Sequence, residues 1–530
     1  MLSMSALCRT IIVRLLSGRT IMMRLHLPTA KSQCVPMFFV VKFFPEITIK
    51  SGPVRKRWCK QLTDNLRVLL KQRHGKAKVR QDWDKLEVEL PGDDPELAAQ
   101  VVQVLSCTPG IANFARVKVF PLGDMDSVLE HTLASWKEPL DGKTFCVRVK
   151  RNGEHPFTST DLERYVGGGL NQQTGAVGVK LKNPDIEVHL EVRHDTLYVV
   201  DRKFPGLGGF PVGTQDPVLS LISGGFDSTV ASYLTMKRGL RTHFCFFNLG
   251  GREHELGVKE VAWYLWNRFA STHRVKFVSV PFEGVVAEIL QKVDPAYMGV
   301  ILKRMMLRAA TEVADRAGIE ALITGEAVSQ VSSQTLTNLA VIDRVTDKMV
   351  LRPLITMDKR DIIDQSRFIG AEEFSANMPE YCGVISVRPS AKTRLDRVLL
   401  QEEKFDINVL ATAIAASKIQ PIDAVMDDDR TAAPVEKRGW LLPGETVIDI
   451  RHPDELETRP LLVGDELASD NAMLAIPFYT LNTEFAKLDP GVRYMLYCDK
   501  GVMSVLHAAH LWDQGYTNVG VYRPGESEAE

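Results

Sequence analysis

Six residues, Ser223 to Ser228, connect an apolar strand-like run to a predicted helix, and they constrain the fold more than any other part of the sequence. They read SGGFDS and follow the run VLSLI directly. Gly224 and Gly225 allow the backbone to approach an anion closely, and backbone N–H groups at the start of a helix attract negative charge. The serine hydroxyls add further donors. The pattern predicts a phosphate-binding loop, although a Gly-Gly turn can also be a simple connection.

The complete SGGFDS sequence resembles the pyrophosphate-binding PP-loop of N-type ATP pyrophosphatases. Those enzymes cleave ATP between the α and β phosphates and activate a carbonyl oxygen as its adenylate. The resemblance therefore implies ATP and Mg²⁺, with Asp227 holding the magnesium or assisting the attacking group. It leaves the substrate open, because the same loop serves enzymes with different acceptors.

The pattern of strands and helices divides the chain of 530 residues into several α/β units. Beyond Pro217, buried apolar strands alternate with amphipathic helices, which predicts a doubly wound parallel sheet. Two smaller α/β modules precede it, and we interpret the Gly- and Pro-rich segment Gly206 to Gly213 as the linker. A last α/β unit begins near Trp440.

Composition sets limits but does not identify a partner. The net charge is −1 and 45% of the residues are hydrophobic, which is typical of a soluble globular protein. Basic clusters in the N-terminal third, such as Arg55 to Lys60 and Arg148 to Arg151, are candidate RNA contacts or ordinary solvated faces. No stretch reaches the roughly 18 to 20 apolar residues of a membrane-spanning helix. We expect no membrane contact.

The eight cysteines are scattered, and none forms a C-x-x-C pair, so no zinc motif is indicated. Scattered cysteines favour a reducing compartment, and we predict a cytoplasmic protein. Residues 1–36 contain recurring arginines and no acidic residue, which is typical of a transit peptide. A misassigned start is the alternative, and we favour translation from Met37.

Cys498 is the second position that carries chemistry. It follows the strand-like run YMLY and precedes a predicted helix, in the sequence CDKGVMS. Loop N–H groups and a helix N-terminus lower the pKa of a thiol and stabilise a persulfide. With Asp449 and Arg451 on an earlier strand, this resembles a rhodanese active-site loop, although Asp499 stands where classical rhodaneses often have Arg. A protein persulfide donor is therefore expected, and a buried structural cysteine is the alternative.

Taken together, the motifs resemble the tRNA 4-thiouridine synthetase family in its long form. They are FFPEITIKS, FCVRVKR, RYVGGGLN, SGGFDS, LITGEA, QVSSQTL, LRPLI, MPEYCGVIS and CDKGVMS, and they span residues 37 to about 524. The resemblance implies five units after the 1–36 leader: a ferredoxin-like domain (37–98), a THUMP RNA-binding domain (99–203), a PP-loop domain (204–395), a linker (396–440) and a rhodanese domain (441–530).

The same resemblance implies roles for single residues. The predicted ATP-binding residues, including those of the loop itself, are Leu221, Ile222, Ser223, Gly224, Gly225, Ser228, Lys303, Gly325 and Gln334. Lys359 would stabilise developing phosphate charge, and Cys382 would form a redox-active disulfide with Cys498. Each has an ordinary alternative: the lysines could be surface charges, Gly325 a turn, Gln334 a helix-surface residue and Cys382 an inert thiol.

The activity implied is ATP-dependent transfer of persulfide sulfur to uridine 8 of a tRNA. The family also implies a cysteine desulfurase as sulfur donor, a cellular reductant, and a small sulfur-carrier protein that receives sulfur for thiamine thiazole synthesis. The alternative is a sulfur-relay protein that does not activate a tRNA base. A lysidine synthetase-like or GMP synthetase-like enzyme is a further rival, but it would have no use for Cys498.

Overall fold

The computed structural model describes fourteen ranges of the chain, and all structural statements concern these. They are 10–14, 20–24, 37–74, 77–82, 85–92, 94–249, 251–376, 378, 389–425, 435–451, 456–457, 461, 472–498 and 502–524. Within them the strands form four sheets, the smallest of which pairs β1 (Thr10–Arg14) with β2 (Thr20–Arg24). No helix in these ranges is both long and apolar enough to cross a lipid bilayer.

The N-terminal part is built on one eight-stranded mixed sheet with the order β4-β5-β3-β6-β10-β9-β7-β8. Its strands are β3 (Met37–Phe43), β4 (Lys78–Gln81), β5 (Lys85–Leu90), β6 (Ile111–Pro121), β7 (Thr144–Asn152), β8 (Gly178–Val179), β9 (Ile186–Arg193) and β10 (Thr196–Gly208). Its helices are α1 (Pro45–Thr48), α2 (Gly52–His74), α3 (Pro95–Ser106), α4 (Met125–Trp136) and α5 (Ser159–Gln173).

The predicted boundary between residues 98 and 99 is wrong, because it cuts through α3. This helix begins at Pro95, where Asp94 caps it by accepting hydrogen bonds from the backbone N–H groups of Glu96 and Leu97. Its buried side chains pack into the same core as β3 and α2. Strand β6 then lies between β3 and β10, so the two modules share one continuous sheet.

The predicted linker Gly206 to Gly213 is a packed junction. Its first residues extend β10, and Phe210 is buried with its ring 4.8 Å from that of Trp58. The backbone N–H of Phe210 donates to the carbonyl of Lys237, and the Asn65 side chain donates to the carbonyl of Val212. The N-terminal sheet is thereby attached to the next domain.

The central domain contains a six-stranded sheet with the order β15-β14-β11-β12-β13-β16. Its strands are β11 (Pro217–Leu221), β12 (Arg241–Asn248), β13 (Lys276–Pro281), β14 (Ala321–Ile323), β15 (Met349–Leu351) and β16 (Lys418–Pro421). All neighbours are parallel except β16, which runs antiparallel to β13. The strand order reverses at β11, and ligands of parallel α/β sheets bind at such a switch point.

Nine helices accompany this sheet in the described residues. They are α6 (Phe226–Lys237), α7 (Gly251–Leu265), α8 (Glu283–Lys292), α9 (Met298–Ala317), α10 (Leu336–Asp343), α11 (Lys359–Phe368), α12 (Glu372–Ala376), α13 (Leu395–Glu402) and α14 (Ile407–Ala415). A π-helical turn, Trp266–Ala270, extends α7, and a 3₁₀ turn, Ser332–Gln334, precedes α10.

The predicted linker over 396–440 is wrong for its first half, because α13, α14 and β16 belong to the central domain. The buried Arg304 of α9 explains the attachment, since its guanidinium donates to both carboxylate oxygens of Glu402 at 2.7 and 2.9 Å. Such a bidentate pair is strong and directional. The attachment of α13 therefore depends on a pairing that its own sequence does not show. Residues 426–434 lie outside the described residues.

The C-terminal unit is a five-stranded parallel sheet with the order β17-β21-β20-β18-β19. Its strands are β17 (Lys437–Arg438), β18 (Thr446–Asp449), β19 (Ala472–Ala475), β20 (Tyr494–Tyr497) and β21 (Val519–Tyr522), and its helices are α15 (Phe478–Phe485) and α16 (Val502–Asp513). The prediction of an α/β unit in this region is confirmed.

Candidate active site

The SGGFDS loop joins β11 to α6, as the sequence predicts. The Ser228 hydroxyl accepts a hydrogen bond from the Ser223 backbone N–H at 3.1 Å and lies 3.1 Å from the Ser223 hydroxyl. Gly225 is the N-cap of α6 and carries no side chain that could satisfy the first N–H groups of the helix. The loop therefore presents backbone donors to an incoming anion.

Two glycines of the predicted site are required, Gly224 by its backbone conformation and Gly325 by close packing. Gly224 has a φ of +80°, and an added Cβ would lie 2.5 Å from Cε of Met378. Gly325 lies two residues beyond β14, and its added Cβ would lie 2.6 Å from the backbone carbon of Asp227 and 2.6 Å from the backbone nitrogen of Ser228. A side chain at Gly325 would displace the loop, because backbone atoms cannot move aside as flexible side chains do.

Asp227 and Lys359, both predicted to be catalytic, are in direct contact. The Lys359 ammonium donates to one carboxylate oxygen of Asp227 at 2.8 Å, and the Gln330 amide donates to the other at 2.9 Å. The ammonium also lies 5.5 Å from the ring centre of Phe226. The start of α11 thus places the Lys359 ammonium beside the first turn of α6, where it would stabilise phosphate charge.

Glu326 organises the other cationic side of the site, and sequence reasoning did not identify it. Its carboxylate accepts from Lys303 at 2.6 Å, Arg352 at 2.8 Å and Thr324 at 3.1 Å. Burial alone would raise the pKa of Glu326, but the charges and hydrogen bonds of Lys303 and Arg352 lower it to about 2. The available signal was its place in LITGEA, at the carboxyl end of a parallel strand.

A cavity of about 470 Å³ lies at the carboxyl ends of β11 and β14. Eight of the nine predicted ATP-binding residues line it: Leu221, Ile222, Ser223, Gly225, Ser228, Lys303, Gly325 and Gln334. Gly224 is buried beneath it, and Asp227 also lines it. Lys359 does not line this cavity but reaches it through Asp227.

The cavity fits a nucleoside triphosphate in two respects. Its walls combine the loop donors and Lys303 with apolar side chains, among them Phe247, Leu302 and Met306, which suit a base and ribose. The side-chain oxygen of Gln334 is buried without a hydrogen-bond partner in the described part of the chain. A buried acceptor of this kind is satisfied by a ligand that donates a hydrogen bond.

The residues also fit magnesium, in the manner typical of nucleotide sites. The described ranges contain no cluster of three or more His, Cys, Asp or Glu side chains that could hold a metal ion by themselves. Mg²⁺ bound with a nucleotide takes one or two carboxylates and otherwise phosphate oxygens and water. Asp227 is the carboxylate in position to provide that ligand.

His254 of α7 is a second site residue that sequence reasoning did not identify. It is buried, lines the cavity and lies beside the Ser223 backbone. Burial lowers the pKa of His254, and its interaction with the Ser223 backbone offsets part of the effect. The imidazole lies edge-on to Phe246, with 4.8 Å between ring centres. No motif marked it, because it lies 26 residues beyond the loop on a different helix.

Cys498 lies directly after β20, and its thiol faces the first turn of α16. The sulfur accepts a hydrogen bond from the Ser504 backbone N–H at 3.3 Å and lies 3.4 Å from the Ser504 hydroxyl. Its relative exposure is 9%. Just beyond the adjacent strand β18, the buried Arg451 donates to Asp449, the last residue of that strand, at 2.6 and 2.9 Å. The predicted strand, thiol and helix arrangement is present.

Cys382 lies outside the described residues, and so does its predicted pairing with Cys498. The two described residues that flank its segment, Met378 and Pro389, both line the cavity. The described residues on both sides of this segment therefore lie at the cavity wall. This placement is the structural information that bears on the Cys382 prediction.

Family models match three consecutive parts of the chain. They are the ThiI ferredoxin-like domain (residues 38–115), the THUMP domain (124–200) and the thiamine biosynthesis protein (ThiI) (213–407). The first two meet within the shared sheet, in agreement with the corrected boundary. The third extends into α13 and α14.

Relatives and solved structures agree with these matches. The chain is 62% identical to a tRNA sulfurtransferase of Saccharophagus degradans and 55% identical to one of Azotobacter vinelandii, over 92% of this chain and the whole of each relative. A crystal structure described as a 4-thiouridine synthetase–RNA complex with bound ATP matches with a TM-score of 0.64 and 25% identity, over 73% of this chain and 99% of that one. The resemblance seen in the sequence is confirmed: the chain belongs to the tRNA sulfurtransferase (ThiI) family.

Proposed function

We propose that this protein uses ATP to transfer sulfur from a persulfide on Cys498 to uridine 8 of a tRNA, giving 4-thiouridine, and that it acts in the cytoplasm. One observation carries the proposal: a nucleotide-sized cavity beside an anion-binding loop occurs in the same chain as a cysteine held at a helix N-terminus. Loop and thiol supply the two chemistries that thiolation of a base requires, namely activation and sulfur delivery.

The activation step takes place in the cavity. The uracil O4 attacks the α-phosphate of ATP, pyrophosphate leaves, and the N3 proton is lost, so the base becomes an O4-adenylated uridine. Loop N–H groups, Lys303 and Lys359 stabilise the negative charge that develops on the phosphates. Magnesium, held by Asp227 and phosphate oxygens, would neutralise further charge. Glu326 keeps Lys303 in place, and Gln334 orients the nucleotide by its buried oxygen.

The sulfur step follows at carbon 4. A cysteine desulfurase loads sulfane sulfur onto Cys498, and the terminal persulfide sulfur attacks carbon 4 while AMP leaves. The Cys382 thiolate then attacks the Cys498 sulfur, which forms a Cys382–Cys498 disulfide and releases the 4-thiouridine. A dithiol reductant returns both cysteines to thiols with two electrons. The flanks of the Cys382 segment at the cavity wall support this role.

The N-terminal sheet supplies tRNA binding in this proposal. Its ferredoxin-like and THUMP parts match family models, and the solved structure described as a complex with RNA and ATP covers 73% of this chain. We expect contacts mainly to the phosphate backbone and to RNA shape, since double-stranded RNA offers few base edges to side chains.

A second acceptor is a small sulfur-carrier protein for thiamine thiazole synthesis. The family model that covers residues 213–407 bears the description of a thiamine biosynthesis protein, and this favours the second route. The route needs Cys498 and its rhodanese-like surroundings but not the activation of a base. Sulfur relay without base activation is therefore the alternative function.

Thiolation of an unmodified tRNA transcript tests the proposal. The protein is incubated with ATP, Mg²⁺, cysteine and a cysteine desulfurase, and the tRNA nucleosides are analysed by mass spectrometry. We expect 4-thiouridine from the wild type and from Cys107→Ala, and none from Cys498→Ala. Sulfur uptake by Cys498 without any 4-thiouridine in the wild type would instead support the relay alternative.

A further inference from the structure

Helix α7 connects the ATP cavity with the C-terminal unit. His254, Gly257, Glu260 and Tyr264 are three or four residues apart and lie on one side of the helix. His254 lines the cavity and Gly257 lies against Met378, which also lines it, whereas Glu260 and Tyr264 contact elements outside it. The PP-loop and the thiol-bearing unit therefore meet opposite ends of the same helix surface.

At the cavity end, the contacts converge on Met378. An added Cβ on Gly257 would lie 3.0 Å from the methyl group of Met378, and one on Gly224 would lie 2.5 Å from it. His254 contacts the Ser223 backbone one turn earlier on α7. Met378 is thus packed between α7 and the PP-loop.

At the other end, aromatic rings join the central domain to the C-terminal unit. The ring centre of Phe374 in α12 lies 4.9 Å from that of Tyr264 and 4.6 Å from that of Phe478 in α15. Both phenylalanines are buried. Aromatic pairs at these separations stabilise a contact beyond the area they bury.

A charged contact lies beside the rings. Nε2 of His507 in α16 is 3.0 Å from a carboxylate oxygen of Glu260, and the two side chains are 6% and 13% exposed. The ring of His507 also lies 5.9 Å from that of Phe478. The contact is an ion pair when the imidazole is protonated. It fixes the orientation of α16, the helix whose first turn holds the Cys498 sulfur.

Phe374 and Met378 are only four residues apart, so the C-terminal unit and the PP-loop pack against the same short stretch. We infer that Phe374, Phe478, Glu260 and His507 form the docking surface of the C-terminal unit on the central domain. We further infer that they are positioning residues for sulfur transfer. This role rests on the proposed function. Docking restricts the positions that the thiol can take relative to the cavity, which raises its effective concentration without any contact to the substrate.

The first test separates sulfur transfer from base activation in Phe478→Ala. Phe478→Leu is the conservative variant, and Phe368→Ala is the control, because Phe368 is 67% exposed on α11. We expect Phe478→Ala to lower kcat for thiolation about tenfold. The KM values for tRNA and ATP, pyrophosphate release and persulfide loading of Cys498 should stay within about twofold. Phe478→Leu should recover most of the rate.

Two results would overturn the inference. One is wild-type thiolation by a Phe478→Ala protein that loads persulfide normally. The other is an equal loss of pyrophosphate release and thiolation, which would mean general disruption of the central domain. If Phe478→Ala fails to load persulfide, Glu260→Gln replaces it in the same assays. We again expect a lower kcat for thiolation, with pyrophosphate release and persulfide loading unchanged.

Docking itself is measured by protein stability and not by enzyme activity, so the result does not depend on the proposed function. Phe374→Ala, Phe478→Ala and the double variant are compared by thermal unfolding of the full chain. We expect the double variant to lose less Tm than the sum of the single losses, because both remove one contact. Additive losses would contradict the docking surface. If the Tm losses of the variants are coupled but the wild-type protein makes no 4-thiouridine, the docking surface is retained and the thiolation proposal is rejected.

Discussion

The loop after β11 and the segment after β20 use the same local architecture for different chemistry. Each follows a parallel strand and leads into a helix, α6 or α16, whose first N–H groups face the site. In the first, Gly224 and Gly225 leave room for an anion to approach the backbone. In the second, Cys498 places a sulfur against the Ser504 N–H at 3.3 Å. Glycine in the first loop allows an anion to bind, whereas cysteine in the second segment allows a covalently attached sulfur to be carried.

Their surroundings differ as well. The PP-loop lies among separate cations and carboxylates, with Lys359 on Asp227 and Lys303 on Glu326. The thiol lies near a buried Asp449–Arg451 pair that is satisfied within its own unit. The first site can therefore rearrange its charges around a polyanionic ligand, whereas the Asp449–Arg451 pair of the second is formed before any substrate arrives. This difference predicts that the two sites fail independently.

Loss of the thiol should have the largest effect. Cys498→Ala should reduce 4-thiouridine formation by more than about 10³-fold, because the sulfur nucleophile is removed. tRNA-dependent pyrophosphate release should remain close to the wild-type rate. Quantifying both products in one reaction checks this prediction, and a parallel loss of pyrophosphate would show that the two sites are not independent.

Gly325→Ala should give the reverse pattern. The new methyl group would lie 2.6 Å from backbone atoms of Asp227 and Ser228, so the PP-loop must move. A displacement of about 1 Å costs on the order of 100-fold in rate, and we expect that loss in pyrophosphate release. Persulfide loading of Cys498 should be unchanged. Gly318→Ala is the matched control, because no atom lies within 4 Å of its added Cβ, although its φ of +64° adds some strain.

Glu326→Gln should destabilise the central domain. Removing one member of a buried charge cluster costs about 3 kcal/mol in the free energy of unfolding, measurable by urea denaturation at neutral pH. The pKa of Glu326 is lowered to about 2 from its ordinary value of 4.5, so its contribution is complete above 4.5. It is lost as the pH falls toward 2. The difference between variant and wild type should shrink across that window, and a constant difference would assign the loss to packing.

Gln334→Ala should have the smallest effect. Its buried oxygen is unpaired within the described residues, so a nucleotide that donates to it loses one hydrogen bond in the variant. We expect the KM for ATP to rise about tenfold with little change in kcat. Steady-state pyrophosphate release at varied ATP measures both constants. A lower kcat at unchanged KM would place Gln334 in the chemical step.

Sequence reasoning found what is contiguous. The SGGFDS loop and Cys498 could be placed because strand, loop and helix follow one another in the chain, and the structure has them in that order. Glu326, Arg352 and His254 escaped, since they reach the cavity from separate elements and their charges are matched only in three dimensions. Roles for Asp227 and Lys359 were expected, but their direct contact was not, because 132 residues separate them in the chain.

The two boundary errors have physical causes. The split at residue 98 failed because β6 pairs with strands of both modules, so no break in composition marks the transition. The linker over 396–440 failed because α13 mixes charged and apolar residues, and its attachment depends on the buried Arg304–Glu402 pair. Periodicity shows which face of a helix is apolar, but it does not reveal a long-range ion pair.

A single-turnover transfer experiment tests most directly whether the two sites act in sequence. Cys498 is loaded with radiolabelled sulfane sulfur, excess donor is removed, and tRNA is added with or without ATP and Mg²⁺. We predict that label moves to the tRNA as 4-thiouridine only when ATP is present, in an amount that matches the pyrophosphate released. Transfer without ATP, or pyrophosphate release with all label remaining on Cys498, would contradict the account.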